Sequence, residues 1–173
     1  MDWGVLRFAQ DDMIARLATL ALGASLVTSA CSASSSGAAS YEIAFPSIAA
    51  AVAVHLVQVT VFDSSDCATL VESTKSGQPL PSPLISGTPT SPCDLAAGKG
   101  GLSVSNGTRA LLAVATQLDP VSHMDVNFLI GCSVQSVADG ATVVPIPLSL
   151  FDVTRAVPAT KCTTLSQHCS GGC

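Results

Sequence analysis

The residues best suited to chemistry in this chain are its cysteines, and they are most crowded near the C-terminus. In the segment "KCTTLSQHCSGGC", Cys162, Cys169 and Cys173 stand close to His168. Three thiolates and an imidazole can bind zinc tetrahedrally. However, the segment has no C-x-x-C spacing, and His168 directly precedes Cys169, which suits a single metal ion poorly. We therefore expect disulfides here, with no metal and no cofactor, and the glycine pair before Cys173 would let Cys169 and Cys173 close a small ring.

The cysteine count points to disulfides along the whole chain. There are seven cysteines in 173 residues. Setting Cys31 apart leaves an even number, as complete pairing requires, while the connectivity stays open. Disulfides persist in oxidising compartments, so this usage favours an exported protein. The disulfide candidates are Cys67, Cys93, Cys132, Cys162, Cys169 and Cys173.

Catalytic signatures are missing from the sequence. His55, His123 and His168 have no nucleophile motif such as G-x-S-x-G nearby, and no H-E-x-x-H, P-loop or dinucleotide fingerprint occurs. The "DSSD" segment at residues 63–66 offers carboxylates for calcium, but helix capping explains it equally well. We predict that the protein is not an enzyme and has no catalytic residues.

The N-terminal segment is typical of a secretory signal. Residues 17–27 are apolar, Arg16 precedes them and small residues follow them. This apolar segment is shorter than the roughly 20 residues that a spanning helix needs. Residues 1–12 contain three aspartates and fit a signal poorly, so we expect translation to begin at Met13. We predict that residues 1–30 form the signal peptide.

Cys31 follows Thr28, Ser29 and Ala30 and is followed by Ser32. This arrangement resembles the lipobox of bacterial lipoproteins, in which small residues precede a cysteine that is acylated and becomes the mature N-terminus. Thr28 departs from the usual leucine, and ordinary signal-peptidase cleavage is the alternative. The resemblance implies lipid attachment at Cys31, and Ser32 resembles a signal for sorting to the outer membrane. Residues 31–46 would then contain the lipid-bearing cysteine and a flexible tether, because a Ser/Ala/Gly composition is typical of linkers.

Composition limits the number of domains and the class of partner. The chain is 48% hydrophobic and 11% charged, with a net charge of −5. Its length suits one domain, and the absence of a basic patch excludes nucleic acid as the expected partner. Residues 43–62 are apolar enough to raise a membrane span as an alternative. Pro46, His55, Gln58 and the many valines favour a strand there instead.

Several segments predict strands and turns. The valine-rich stretch at residues 51–63 predicts a strand that is either buried on both faces or carries a bulge near residues 55–57. Asn106–Gly107 predicts a type I′ hairpin between residues 101–105 and 108–117. Asp139–Gly140 predicts a second hairpin, leading into a strand whose Pro145 and Pro147 require an edge position.

The segment "DVNFLIGCSV" predicts a strand by its alternation. Val126, Phe128, Ile130, Cys132 and Val134 share one face, so Cys132 should be a buried half of a disulfide.

Residues 63–100 interrupt the strands. "DCATLVES" predicts a short helix capped by Asp66, and the proline-rich loop after it could be held at its ends by Cys67 and Cys93.

Together these patterns predict an all-β fold, an antiparallel β-sandwich of about five to seven strands. We place it at residues 47–157, after the signal helix and the disordered tether and before a Cys-rich tail at residues 158–173. The valine-rich first strand followed by "DC", the "GTRALLAVA" strand, the "GC" that comes next and the final strand after the Asp–Gly turn resemble prealbumin-like or immunoglobulin-like domains in surface lipoproteins of Gram-negative bacteria.

These observations predict a non-catalytic lipoprotein of the cell envelope. It would be held to a membrane, the outer membrane of a Gram-negative bacterium, by an N-terminal lipid. A disulfide-stapled β-sandwich would serve a structural or adhesive role towards a protein or surface polymer that the sequence does not identify. The alternative function is an extracytoplasmic module that binds peptide, sugar or metal, and the alternative location is secreted or periplasmic.

Overall fold

The computed structural model describes residues 40–138 and 143–173. The predicted signal peptide, the Met13 start, Cys31 and the Asp139–Gly140 turn lie outside these residues.

The described part of the chain is mainly strands. They are β1 (Ser40–Ala44), β2 (Leu56–Phe62), β3 (Ile85–Ser86), β4 (Gly107–Leu118), β5 (Asp125–Val137), β6 (Val143–Pro147) and β7 (Ser149–Leu150). The helices are α1 (Ile48–Ala53), α2 (Cys67–Ser76), α3 (Pro92–Ala96) and α4 (Leu165–Cys169). Five strands form an antiparallel sheet in the order β3-β2-β4-β5-β7, and β1 pairs with β6 in a second, parallel sheet. The prediction of a β-rich, largely antiparallel fold is confirmed.

The two sheets share the larger of two hydrophobic cores. Alternate residues of β1 and β6, among them Ile43 and Ile146, pack in one cluster with Val57, Val59 and Val61 of β2. All five are almost completely buried. Alternation of this kind is what a strand with one buried face produces. The second sheet therefore contributes to the same core as the five-stranded sheet.

The opposite face of the five-stranded sheet is covered by α2. Phe62, Ala110, Leu112 and Ile130 pack there with Leu70 of the helix. Because β4 is covered on both sides, its centre is a continuous apolar run. Helix α2 begins as predicted: the Asp66 carboxylate accepts a hydrogen bond of 3.0 Å from the Thr69 backbone amide.

The folded domain begins earlier than the predicted boundary at residue 47. Tyr41, Ile43 and Phe45 are all buried, so residues assigned to the tether contribute to the core. The Tyr41 hydroxyl donates a hydrogen bond of 2.6 Å to the Gly100 carbonyl, and burial raises the pKa of this phenol. The alternating pattern of these three residues is the signal for β1 in the sequence.

The valine-rich stretch at residues 51–63 is only partly a strand. Its first residues belong to α1, whose cap Ser47 accepts a hydrogen bond from the Ala50 amide at 3.1 Å. The alanines of "IAAAVA" favour this helix. The phase change near residue 55 therefore marks a switch from helix to strand and not a bulge. No helix in residues 40–138 or 143–173 has the length and apolar character needed to cross a membrane.

The predicted Asn106–Gly107 hairpin is wrong. Gly107, with a φ of 121°, is the first residue of β4, and residues 101–105 form no strand. β4 pairs instead with β2 and β5 along its two edges, and its apolar residues are buried on both faces, in the larger core and under α2. This pairing and burial outweigh the local turn preference.

The strand with two prolines is an edge strand, as predicted, but its partner is different. β6 pairs with β1, with Pro145 opposite Glu42 and Pro147 opposite Ala44, and not with β5. Each strand of a two-stranded sheet has one free edge, which accommodates residues without an N–H group.

The predicted face of β5 is wrong at one position. Phe128 packs into the larger core together with Leu129, whereas Ile130 and Cys132 face α2. The pairing register of β4 and β5 shifts between Ala115 and Thr116. The extra residue on β5 resets the alternation.

Candidate functional site

The six predicted disulfide candidates form three disulfides, and these are the best-defined chemical feature of the domain. Their Cα–Cα distances are 5.5 Å for Cys67–Cys132, 5.4 Å for Cys93–Cys169 and 5.5 Å for Cys162–Cys173. These separations are those of ordinary disulfides. The candidate site for lipid attachment, Cys31, lies outside the described residues.

The Cys67–Cys132 disulfide joins α2 to the sheet. Cys67 is the first residue of the helix and Cys132 lies in β5, and both pack against the smaller core. This pairing agrees with the inward orientation predicted for Cys132. The disulfide therefore fixes the start of α2 over the sheet face that the helix covers.

The sequence left the connectivity open, and neither of the two arrangements that it suggested, Cys67 with Cys93 at the ends of the loop and a ring between Cys169 and Cys173, is present. Because α2 lies on the sheet, Cys67 meets Cys132, and Cys93 of α3 meets Cys169 of α4. The long loop is held instead by backbone hydrogen bonds to β2. Leu84, Gly87 and Thr90 donate these bonds at 2.8–2.9 Å to the carbonyls of Val61, Val59 and Val57.

The C-terminal tail contains the remaining disulfide and a nearby histidine. Cys162 is buried, while His168 and Cys173 are exposed. A ring nitrogen of His168 and the two sulfur atoms lie within 4.8 Å of one another. Three of the four residues considered above as zinc ligands therefore lie together. The fourth, Cys169, forms a disulfide with Cys93.

An unexpected polar cluster links the ends of three strands. His55 Nδ1 lies 2.7 Å from Asp125 Oδ1, and Thr116 Oγ1 donates to the same oxygen at 3.1 Å. The hydrogen bond from His55 is the main cause that holds the pKa of the Asp125 carboxyl below its usual value. His55 is 70 residues from Asp125 in the sequence, and the antiparallel pairing of β4 with β2 and with β5 brings it to Thr116 and Asp125. The Thr116 hydroxyl and His55 both bind the Asp125 carboxylate, which differs from the nucleophile–histidine–acid order of a catalytic relay.

We predict that His55→Ala raises the pKa of Asp125 towards the ordinary value. The lowered pKa means that the interaction stabilises the fold fully above the unfolded carboxyl's pKa and is lost as the pH falls through the folded value. An NMR titration of the Asp125 carboxyl carbon measures this change. Thr116→Val is the matched control and should cause a smaller rise, because its hydrogen bond is a weaker cause. An unchanged Asp125 pKa in His55→Ala would contradict this assignment.

The carboxylates of the "DSSD" segment both have protein partners. Asp63 accepts a hydrogen bond of 2.6 Å from Arg109, and Asp66 caps α2. Arg109 also donates to the Ser105 carbonyl at 3.2 Å, so it fixes the segment that enters β4. These contacts favour the capping interpretation over calcium binding.

Large apolar side chains are exposed at and around the connection between β4 and β5. Leu118, Val121 and Met124 are exposed, with Val121 87% and Met124 66% accessible; we call these three residues the hairpin tip. Asp119 stabilises the turn by accepting hydrogen bonds from the amides of Val121 and Ser122 at 3.0 and 2.7 Å. His123, predicted to lie in a solvated loop, is in this connection with a φ of 55°.

Comparisons of the chain with known protein families, with curated proteins and with solved structures found no match.

Proposed function

We propose that the chain is a non-catalytic lipoprotein of the cell envelope, anchored to a membrane by a lipid on Cys31. The observation that carries this proposal is the cysteine pairing. Three disulfides within the domain account for six of the seven cysteines. The seventh, Cys31, directly follows the small residues of the lipobox-like segment and precedes the folded domain.

The disulfides support export to an oxidising compartment. All six cysteines of the domain are paired, and such bonds are rare where thiols are kept reduced. A small domain gains stability from these bonds that a modest core does not supply by itself. This usage fits an envelope or secreted location.

We infer that the domain is a β-sandwich whose smaller layer is the β1–β6 sheet. The support is the shared core, in which residues of β1 and β6 pack with residues of the five-stranded sheet. Because β1 starts at Ser40, the Ser/Ala-rich segment at residues 32–39 is what would separate the lipid from the domain. That composition is typical of linkers.

We infer a structural or adhesive role from the surface. The hairpin tip exposes three large apolar side chains at one end of the long β4–β5 pair. Exposed apolar groups that cluster are typical of contact surfaces. The partner would be a protein or a polymer of the cell surface.

The test is to compare wild type with Cys31→Ser in a Gram-negative host. We expect wild type to enter the detergent phase and incorporate labelled fatty acid, and Cys31→Ser to do neither, since serine lacks the thiol that is acylated. Thr28→Leu is the matched control. It brings the segment closer to the usual lipobox and should keep or increase the label. Equal behaviour of wild type and Cys31→Ser would overturn the proposal.

A further inference from the structure

The tail around Cys162 and Cys173 contains more than a disulfide. A ring nitrogen of His168 and the sulfurs of Cys162 and Cys173 lie within 4.8 Å of one another. Thiolate sulfur and imidazole nitrogen are the ligands that zinc prefers in proteins. In the disulfide form the sulfurs are bonded to each other, so this ligand set exists only after reduction.

Hydrogen bonds that do not depend on this disulfide hold the tail in place. The Gln167 side chain accepts a hydrogen bond from the Thr163 amide at 3.0 Å and donates one to the Gly172 carbonyl at 3.3 Å. The Gly172 amide also donates to the Gln167 carbonyl at 2.9 Å. Thr163 follows Cys162 and Gly172 precedes Cys173, so Gln167 holds the two cysteine segments together. The two thiols should therefore stay close after reduction.

Two further contacts fix the tail to the domain. Leu165 is buried in the larger core, and the Cys93–Cys169 disulfide joins α4 to α3. Reduction of Cys162–Cys173 alone would leave both contacts intact. A ligand set that is held in advance binds a metal with less loss of conformational entropy.

We propose that Cys162, His168 and Cys173 form a zinc site that replaces the Cys162–Cys173 disulfide when this bond is reduced. A dithiol reductant cleaves the sulfur–sulfur bond, giving two electrons and two protons to the cysteine sulfurs and itself becoming a disulfide. Each cysteine thiol then releases its proton to solvent as Zn²⁺ binds. The tail has two exclusive states, a disulfide without metal and a metal-bound dithiolate.

The geometry suits this exchange. Zinc–sulfur bonds of about 2.3 Å place two tetrahedral sulfurs roughly 3.8 Å apart, so the sulfurs must separate from bonding distance. Cys173 is exposed and follows two glycines, which lets its side chain make this movement. The three protein ligands leave the fourth position of the metal to water.

The experiment titrates the full mature chain with Zn²⁺ by calorimetry, before and after mild treatment with a dithiol. Mass spectrometry after alkylation identifies the free thiols. We expect one zinc per chain once Cys162 and Cys173 are free, and none in the oxidised protein. Absence of zinc binding by protein whose free thiols map to Cys162 and Cys173 would overturn the proposal.

Variants separate this site from other thiols. His168→Ala should weaken zinc binding of the reduced protein at least about tenfold, because one of three ligands is lost. His123→Ala, which removes a histidine outside the tail, is the matched control and should leave it unchanged. Equal zinc affinities of these two variants would contradict the assignment of His168.

Double variants test the cysteines themselves. Cys162→Ser with Cys173→Ser should abolish zinc binding, whereas Cys93→Ala with Cys169→Ala should retain it. Zinc binding that survives the first pair of substitutions would place the metal elsewhere and overturn the proposal. The His168 and His123 comparison decides the question if the second pair fails to fold.

Discussion

Replacing Gly131 with alanine is expected to destabilise the domain by about 3 kcal/mol or more. Gly131 lies in β5 where β6 ends above it, and a Cβ there would lie 2.1 Å from the Pro147 carbonyl oxygen and 2.9 Å from the Leu148 side chain. The nearest atom is backbone, so relief requires the β1–β6 sheet to move away from the five-stranded sheet. This movement would open the core that the two sheets share.

Urea unfolding followed by far-UV circular dichroism measures this loss. Gly101→Ala is the matched control, because a Cβ at Gly101 meets no atom within 4 Å. Its effect should stay within about 0.5 kcal/mol. A Gly131→Ala variant as stable as Gly101→Ala would show that the two sheets do not approach closely at this position.

Removing the Cys67–Cys132 disulfide, by the double substitution Cys67→Ala with Cys132→Ala, is expected to lower the free energy of unfolding by about 4 kcal/mol. The two residues are 65 apart in the sequence. The bond therefore closes a long loop and removes much conformational entropy from the unfolded chain. The cost is a large fraction of the roughly 5–15 kcal/mol that stabilises a typical domain. Unfolding in urea, with the other two disulfides intact, is the measurement.

The Cys162–Cys173 disulfide provides the comparison. Its cysteines are only 11 apart, so Cys162→Ser with Cys173→Ser should cost about 3 kcal/mol, less than the loss of Cys67–Cys132. A larger loss for the tail disulfide would contradict the loop-closure explanation. It would indicate that the tail stabilises the core mainly through native contacts.

Features that depend on local chemistry could be predicted from the sequence. The segment "DCATLVES", with Asp66 at its start, correctly indicated α2 and its cap. The valine alternation correctly indicated β2, and the parity of the cysteines agreed with complete pairing within the domain. The helix cap and the strand alternation depend on interactions within a few residues, and the complete pairing agrees with the even number of cysteines in the domain.

Features that depend on distant partners could not be predicted. β1 pairs with β6 about a hundred residues away, and nothing local to Tyr41 or Ile43 indicates that partner. The Asn106–Gly107 turn signal was misleading because β4 gains more by pairing with β2 and β5 while both of its faces are buried. The His55–Asp125 contact likewise arises only from strand register. A single sequence contains the propensities of these segments but not their pairing.

The most direct test of the lipoprotein proposal is the intact mass of the mature protein from membrane and soluble fractions, before and after reduction. We predict a membrane-bound species that begins at Cys31, carries the added mass of a lipid and gains two hydrogens for each of the three disulfides on reduction. A soluble species without lipid would contradict the proposed anchor; if it still gained the same hydrogens on reduction, an exported disulfide-stapled domain would remain as the account. Free thiols at the cysteines of the Cys67–Cys132 or Cys93–Cys169 disulfides in the native protein would contradict the oxidising location as well.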